Sequence, residues 1–219
     1  MNEHHTHHDM HHEDHGALGH HDHGGGLKSM AASATLHCLT GCAIGEIIGL
    51  MIGTAAGLSN GVTIAMSIGL AFVFGYTLST LPLLKAGLGA GAALSVVLAA
   101  DTLSIATMEV VDNLVMAIIP GAMDAGLVNV LFWIGMMIAL TVAFFAAYPV
   151  NRHLLQRGKG HALTHEYHAA PAATSGLRRL IPSIPTGALV AAIVAFMLGG
   201  LVVATADDLA DTSTNSHSR

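Results

Sequence analysis

Apolar residues lie along this chain in long, nearly uncharged runs. A helix needs roughly 20 mostly apolar residues to cross the ~30 Å hydrocarbon core of a bilayer. Runs of that kind lie near residues 31–58, 62–84, 88–111, 126–149 and 186–205. Because the alternating pattern of a membrane β-strand is absent from these runs, the sequence predicts an all-α integral membrane protein, a helical bundle of four to five transmembrane helices.

Polar segments divide the chain into five predicted parts. A His-rich tail, residues 1–28, is expected to be disordered because nothing in it can pack a core. It precedes a bundle of four helices, residues 29–150. A basic segment that also contains histidines, residues 151–185, leads to the fifth helix, residues 186–205, and a polar tail follows at 206–219.

Composition and charge support the membrane assignment and suggest an orientation. Hydrophobic residues make up 53% of the 219 residues and charged residues only 10%, which is not the balance of a soluble domain. Five of the eight basic residues lie between the fourth and fifth runs, and cytoplasmic loops carry the excess of Lys and Arg. Lys28 and Lys85 fall on the same side by alternation. We therefore expect a multi-pass protein of the cell membrane with its N-terminus in the cytoplasm and its C-terminus outside.

The first 26 residues contain ten of the sixteen histidines, interspersed with five acidic residues. Neutral imidazole binds divalent transition metals, and the neighbouring carboxylates add oxygen ligands. The hypothesis is that this tail gathers metal ions. Two alternatives remain open: an expression tag, and a polar tail that responds to pH without binding metal, since its imidazoles would charge together below pH ~6.5.

The segment HCLTGCAIGE, residues 37–46, places potential metal ligands inside the first apolar run. Cys38, Cys42 and Glu46 are four residues apart, so they share one stripe of a helix. His37 lies about 100° away and joins that stripe only if the helix begins irregularly. Cysteine also packs as a small hydrophobe, but a carboxylate deep in a bilayer marks a functional site by default. These four residues are the predicted metal ligands.

A glycine row runs beside that stripe and predicts close helix packing. Glycine recurs every four residues, which lets a second helix approach with its backbone. The same face could join two copies of the chain in a homo-oligomer. The row consists of Gly41, Gly45, Gly49, Gly53 and Gly57.

The third run contains acidic residues that could continue an ion path. Asp101, Met108 and Asp112 fall within about 40° of one another on a helix, whereas Glu109 lies ~80° from Asp101 and is expected to face a different neighbour. These four residues form a candidate path for cations or protons. The alternative is a structural network of protonated carboxyl groups hydrogen-bonded to Ser, Thr and Asn.

The segment HALTHEYH adds a weaker candidate and completes the survey of motifs. His161, His165 and His168 share one helical face, which suits an accessory metal site and equally a plain polar face. The sequence lacks a phosphate-binding P-loop, a Rossmann fingerprint, a Ser/His/Asp arrangement at motif spacing and a haem-attachment motif. We therefore expect no enzymatic activity and no binding of nucleic acid.

Several of these motifs resemble a bacterial family of multi-pass membrane proteins known only as a domain of unknown function. The resemblance covers residues 34–168 and implies an integral membrane domain of about four helices, but no settled activity. The His-rich tail and the fifth run lie outside it. It rests on the segments HCLTGCAIGE, ADTLSIATMEVVDN, IPGAMDAGL and AFFAAYPVNRHLLQRGKGHA.

Together these observations predict a membrane protein that handles or transports a transition metal ion as its ligand or substrate. Thiolates and imidazoles favour Cu(I), with Zn(II) or Ni(II) next. The competing hypothesis is a scaffold that transports nothing and docks a partner, in which the polar residues of the bilayer only assemble the bundle. The sequence leaves open the identity of the metal, the direction of movement, the coupling ion and the oligomeric state.

Overall fold

The computed structural model describes residues 23–157 and 184–217. All five helices of these ranges are long and apolar enough to cross a membrane, and the ranges contain no strand. The predicted all-α membrane bundle is therefore confirmed. The helices are α1, His23–Ala55; α2, Asn60–Lys85; α3, Ala90–Ile118; α4, Val130–Gln156; and α5, Thr186–His217.

Several helices are longer than the apolar runs that predicted them. α1 begins at His23, within the segment predicted to be a tail, while α4 continues to Gln156 and α5 to His217. The length of an apolar run measures what fits into hydrocarbon, whereas backbone hydrogen bonding continues into the polar interface on either side. Residues 1–22 of the His-rich tail lie outside the described residues.

Two glycine turns reverse the chain between the first three helices. Gly57 and Gly87 have φ angles of 64° and 109°, which favour glycine because it has no side chain. After α1, Leu58 N donates to Gly53 O at 2.9 Å, and after α2, Leu88 N donates to Leu83 O at 3.1 Å. These bonds close the helix ends in Schellman fashion. The short turns make α1, α2 and α3 successive antiparallel neighbours.

α1 is the central helix of the bundle. It packs against each of the other four helices and is the most buried of the five. Large apolar side chains on the outward faces of the surrounding helices are exposed, as expected where lipid tails replace water as the solvent. Among them are Val73, Leu103, Val110, Phe145 and Val202.

The glycine row of α1 packs directly against α2. A Cβ atom added at Gly41 or Gly45 would lie closer than 3.0 Å to the backbone of Gly75 or Ala71. One added at Gly49 would meet Ser67, and one added at Gly53 would meet the Thr63 side chain. The buried face of α2 supplies residues at the same four-residue spacing, which are Thr63, Ser67, Ala71, Gly75, Ser79 and Leu83.

The occupied glycine face excludes one predicted interface. Four of its glycines, from Gly41 to Gly53, are already covered by α2 of the same chain, and Gly57 lies in the turn beyond α1 with nothing within 4 Å of an added Cβ. The prediction of a homo-oligomer through this face is therefore wrong. The row does bring two helices together, but both belong to one chain.

Candidate functional site

The stripe predicted on α1 is buried in the interior of the bundle. Cys38, Cys42 and Glu46 are 0%, 2% and 7% exposed, and both cysteines are free thiols. The α3 face opposite is buried as well and contains Asp101, Ser104, Met108, Glu109 and Asp112. The α1–α3 interface therefore contains most of the predicted ligands.

At one end of this interface the Cys38 thiol lies beside the Asp101 carboxyl. Ser104 of α3 and Ser79 of α2 also adjoin the thiol. Three helices thus enclose Cys38, and each contributes a polar side chain.

One turn further along α1, the Cys42 thiol lies beside the Glu109 carboxyl and close to Glu46. Glu46 in turn adjoins Asp112, with Glu109 also near. Apart from these neighbouring thiol and carboxyl groups, Glu46 Oε2, Asp112 Oδ1 and both carboxyl oxygens of Glu109 are buried without a hydrogen-bond partner among the described residues. These oxygens are able to accept a proton or to contact a cation.

We call this set the polar row. It consists of Cys38, Cys42 and Glu46 of α1 and Asp101, Glu109 and Asp112 of α3. Because α1 and α3 run parallel, their side chains face each other in successive pairs along the interface. The pairs are Cys38 with Asp101, Cys42 with Glu109, and Glu46 with Asp112. Each thiol therefore faces a carboxyl group in the first two pairs, and the last pair consists of carboxyl groups alone.

The expectation that Glu109 faces a different neighbour from Asp101 is wrong. Both residues face α1. Residues four apart form a row that is inclined about 26° to the helix axis. Two such rows on packed helices can therefore lie alongside each other over several turns. Cys38, Cys42 and Glu46 form such a row, and the buried sequence Asp101, Ile105, Glu109 forms another.

His37 is separated from the polar row. α1 is regular from His23 onward, so the irregular start that would bring His37 to the stripe does not occur. The His37 Nδ1 atom lies 2.8 Å from Ser33 O, one turn back along the helix. The side chain lines a small cavity with Leu78, Pro82 and Ile184, on the side of α1 that faces α2 and the start of α5.

The structure groups the predicted ligands in pairs. Within residues 23–157 and 184–217, no three His, Cys, Asp or Glu side chains come together as a set that could hold a metal ion. Met108 is buried on the α3 face between Asp101 and Asp112. His161, His165 and His168 lie outside the described residues.

Sequence reasoning missed the contributions of α2 and α4. Ser79 of α2 adjoins Cys38, and Asn151 Nδ2 of α4 donates to Thr35 Oγ1 of α1 at 2.9 Å in a buried contact. The Tyr76 hydroxyl lies 2.8 Å from Thr102 Oγ1 and links α2 to α3. The four-residue spacing of small residues on α2 was a signal that this helix would occupy the glycine groove and carry Ser79 into the core.

The comparisons with known proteins concern the same part of the chain. Comparisons with curated proteins and with solved structures returned no match. A family model described as a domain of unknown function, DUF4396, matches residues 28–160, which include α2, α3, α4, nearly all of α1 and every member of the polar row. The match spans more than half of the 219 residues, and it confirms the resemblance seen in the sequence motifs. The chain therefore belongs to the DUF4396 family.

Proposed function

We propose that this protein handles or transports a transition metal ion across the membrane, with Cu(I) first and Zn(II) or Ni(II) next. The observation that carries the proposal is the polar row: two thiols and four carboxyl groups in successive pairs along one buried helix interface. An intramembrane ionisable residue is expensive to bury and marks an ion path or proton relay by default. Here six such groups share one interface.

Electrostatics gives this interface a preference for cations. Two adjacent carboxyl groups in a medium of low dielectric constant cannot both remain charged unless a cation or proton lies between them. Glu46 and Asp112 form such a pair, with Glu109 near both. The Cys38 and Cys42 sulfur atoms add soft ligands that favour Cu(I) and Zn(II) over hard cations.

The proposed path begins at the two cysteines and continues along the carboxyl groups. In the predicted orientation Cys38 lies toward the cytoplasm, where the His-rich tail would gather ions. His161, His165 and His168, in the basic segment on the same side, would be accessory ligands.

Uptake into proteoliposomes tests transport directly. Wild-type protein is expected to carry Cu(I) across the bilayer faster than liposomes without protein, and a variant with Cys42→Ser and Glu109→Gln is expected to lose that activity. Asp207→Asn provides the matched control, because it removes an exposed carboxylate of α5 that lies away from the polar row. Uptake equal to that of empty liposomes for Cu(I), Zn(II) and Ni(II) would refute transport.

The alternative is a scaffold that transports nothing, and one observation favours it. The polar side chains lie at the same interfaces that hold the bundle together, where hydrogen-bonded carboxyl, hydroxyl and amide groups also stabilise membrane helices. Asn151 and Thr35 already form such a contact. On this hypothesis the polar row would bind no metal and its removal would lower only the stability of the bundle.

The orientation of the helices is a separate prediction. Basic residues concentrated between α4 and α5 predict an N-terminus in the cytoplasm and a C-terminus outside. A reporter fused after Asp211 is expected to be active only if it functions outside the cytoplasm, and a reporter fused after Lys85 only if it functions inside. A cytoplasmic signal from the Asp211 fusion would contradict this topology.

The tail gives a prediction that a peptide can test. A peptide of residues 1–26 is expected to bind several Cu(II), Ni(II) or Zn(II) ions at neutral pH and to release them as the pH falls through ~6, because only neutral imidazole is a ligand. Calorimetric titration at pH 7.5 and pH 5 measures both effects. A version with every histidine replaced by asparagine is the control, and binding that does not depend on pH would contradict a role for imidazole.

A further inference from the structure

A second group of soft ligands lies at the far end of the polar row. A cavity of about 80 Å³ opens beside the end of α3 and the segment that connects α3 to α4. Its lining includes Glu46 and Asp112, the last pair of the polar row, together with Met116, Met123 and Met136. The three methionines come from α3, from the connecting segment and from α4.

The two carboxyl groups bring unsatisfied oxygen atoms to this cavity. Glu46 and Asp112 are 7% and 4% exposed, and apart from each other Glu46 Oε2 and Asp112 Oδ1 have no hydrogen-bond partner among the described residues. A buried acceptor without a donor is costly unless a ligand, proton or water satisfies it. The inner side of the cavity is therefore suited to a positively charged ligand.

The methionines extend from the interior to the surface. Met116 and Met136 are 6% and 4% exposed, whereas Met123 is 37% exposed. Gly135 makes room for one of the sulfur atoms, since a Cβ added there would lie 3.0 Å from Met116 Sδ. A methionine series of this kind offers an entering or departing ion a sulfur ligand at each depth.

We infer that this cavity binds a monovalent soft cation, Cu(I) or its analogue Ag(I), through the thioethers of Met116, Met123 and Met136, with Glu46 and Asp112 balancing its charge. The inference rests on the proposed function and deepens it by naming a soft monovalent ion and a second binding site opposite the Cys38 end. Thioether sulfur is a soft, neutral ligand that suits Cu(I). Zn(II) instead takes thiolate, imidazole and carboxylate ligands.

The test is Ag(I) binding to the full-length protein purified in detergent. Changing Met116, Met123 and Met136 together to leucine conserves volume, so the fold should tolerate it. We expect the triple variant to lose one equivalent of Ag(I), or to bind it on the order of tenfold more weakly, with Zn(II) binding unchanged. The His-rich tail and the cysteines are the same in all samples and contribute equally.

The matched control changes two methionines elsewhere in the bundle. Met137 and Met197 line a separate apolar groove between α1, α4 and α5, and a double change to leucine there should leave Ag(I) binding unaltered. Equal Ag(I) binding by the wild type and the triple variant would overturn the inference, as would a loss of equal size in the control.

Oxidation footprinting tests the site in the unaltered chain, so it does not depend on the folding of a variant. Met123 is 37% exposed and Met51 of α1 is 55% exposed, so hydrogen peroxide should oxidise both. Ag(I) is expected to protect Met123 and to leave Met51 reactive, as read by mass spectrometry of each peptide. Equal oxidation of Met123 with and without Ag(I) would overturn the site.

The outcomes also separate this site from the proposed function. If Ag(I) binds the methionine cavity but no Cu(I) enters proteoliposomes, transport fails and the site stands. If Cu(I) uptake proceeds and the triple variant transports and binds as the wild type does, the site fails and transport stands.

Discussion

Replacing Gly45 with alanine is expected to force α1 away from α2 and to destabilise the bundle. A Cβ atom at this position would lie closer than 3.0 Å to backbone atoms of Leu70 and Ala71. Backbone atoms cannot rotate away as a side chain can, so the helices must separate. Overpacking of a well-packed core costs about 1–3 kcal/mol, and we expect the upper part of that range.

Gly69→Ala is the matched control for this measurement. Gly69 also lies within a predicted membrane span, on α2, but an added Cβ there meets nothing within 4 Å. The exchange should leave stability unchanged or raise it slightly, because alanine has the higher helix propensity. Thermal unfolding of both variants in the same detergent, followed by circular dichroism, gives the comparison. Equal melting temperatures for the two variants would show that α1 and α2 do not approach as described.

Changing Cys42 to serine is expected to lower metal binding at the α1 stripe of Cys38, Cys42 and Glu46 steeply while the fold survives. The exchange nearly conserves volume but replaces a soft ligand with a poor one. Cys42 is 2% exposed and lies close to both Glu109 and Glu46. Its replacement should therefore weaken metal binding at both of these carboxyl groups. Metal stoichiometry and thermal stability, measured together under reducing conditions, distinguish a lost ligand from a lost fold.

Cys42→Ala and Glu46→Gln complete that experiment. If Cys42 only packs, Cys42→Ala should leave the metal content nearly unchanged. Cys42→Ser would then lower the stability of the bundle somewhat, because the buried hydroxyl needs a hydrogen-bond partner. Glu46→Gln removes the negative charge and keeps hydrogen bonding. If the Glu46 carboxylate balances the charge of a bound cation, this variant is expected to bind less metal. Unchanged metal content in all three variants would refute the metal site on α1 and favour a structural role for the segment.

The membrane spans and the α1 stripe could be predicted because both depend on periodicity along one helix. Length and apolarity alone identified the five spans of the described residues, although not where each helix ends. The spacing of Cys38, Cys42 and Glu46 also identified one buried face correctly. These are properties of single segments, and no knowledge of the neighbouring helices is needed to see them.

The partners of that stripe could not be derived in the same way. Which side chain of α3 faces Cys42 depends on the tilt and relative height of two helices, and a helical wheel treats each helix as though it stood alone. The wheel therefore separated Glu109 from Asp101, and it gave no reason to connect Ser79 with Cys38. The methionine cavity is assembled from α3, the following connection and α4, so its members have no common spacing in the sequence.

The backbone contact between α1 and α2 constrains how the bundle could move. With glycine on one helix meeting glycine, alanine, serine and threonine on the other, there are few side chains whose rotamers could change to let these two helices slide. α1 and α2 should therefore behave as one rigid body. A motion that opens the buried thiols first to one face of the membrane and then to the other would have to shear α3 and α4 past that body, with the glycine turn around Gly87 as the hinge between α2 and α3.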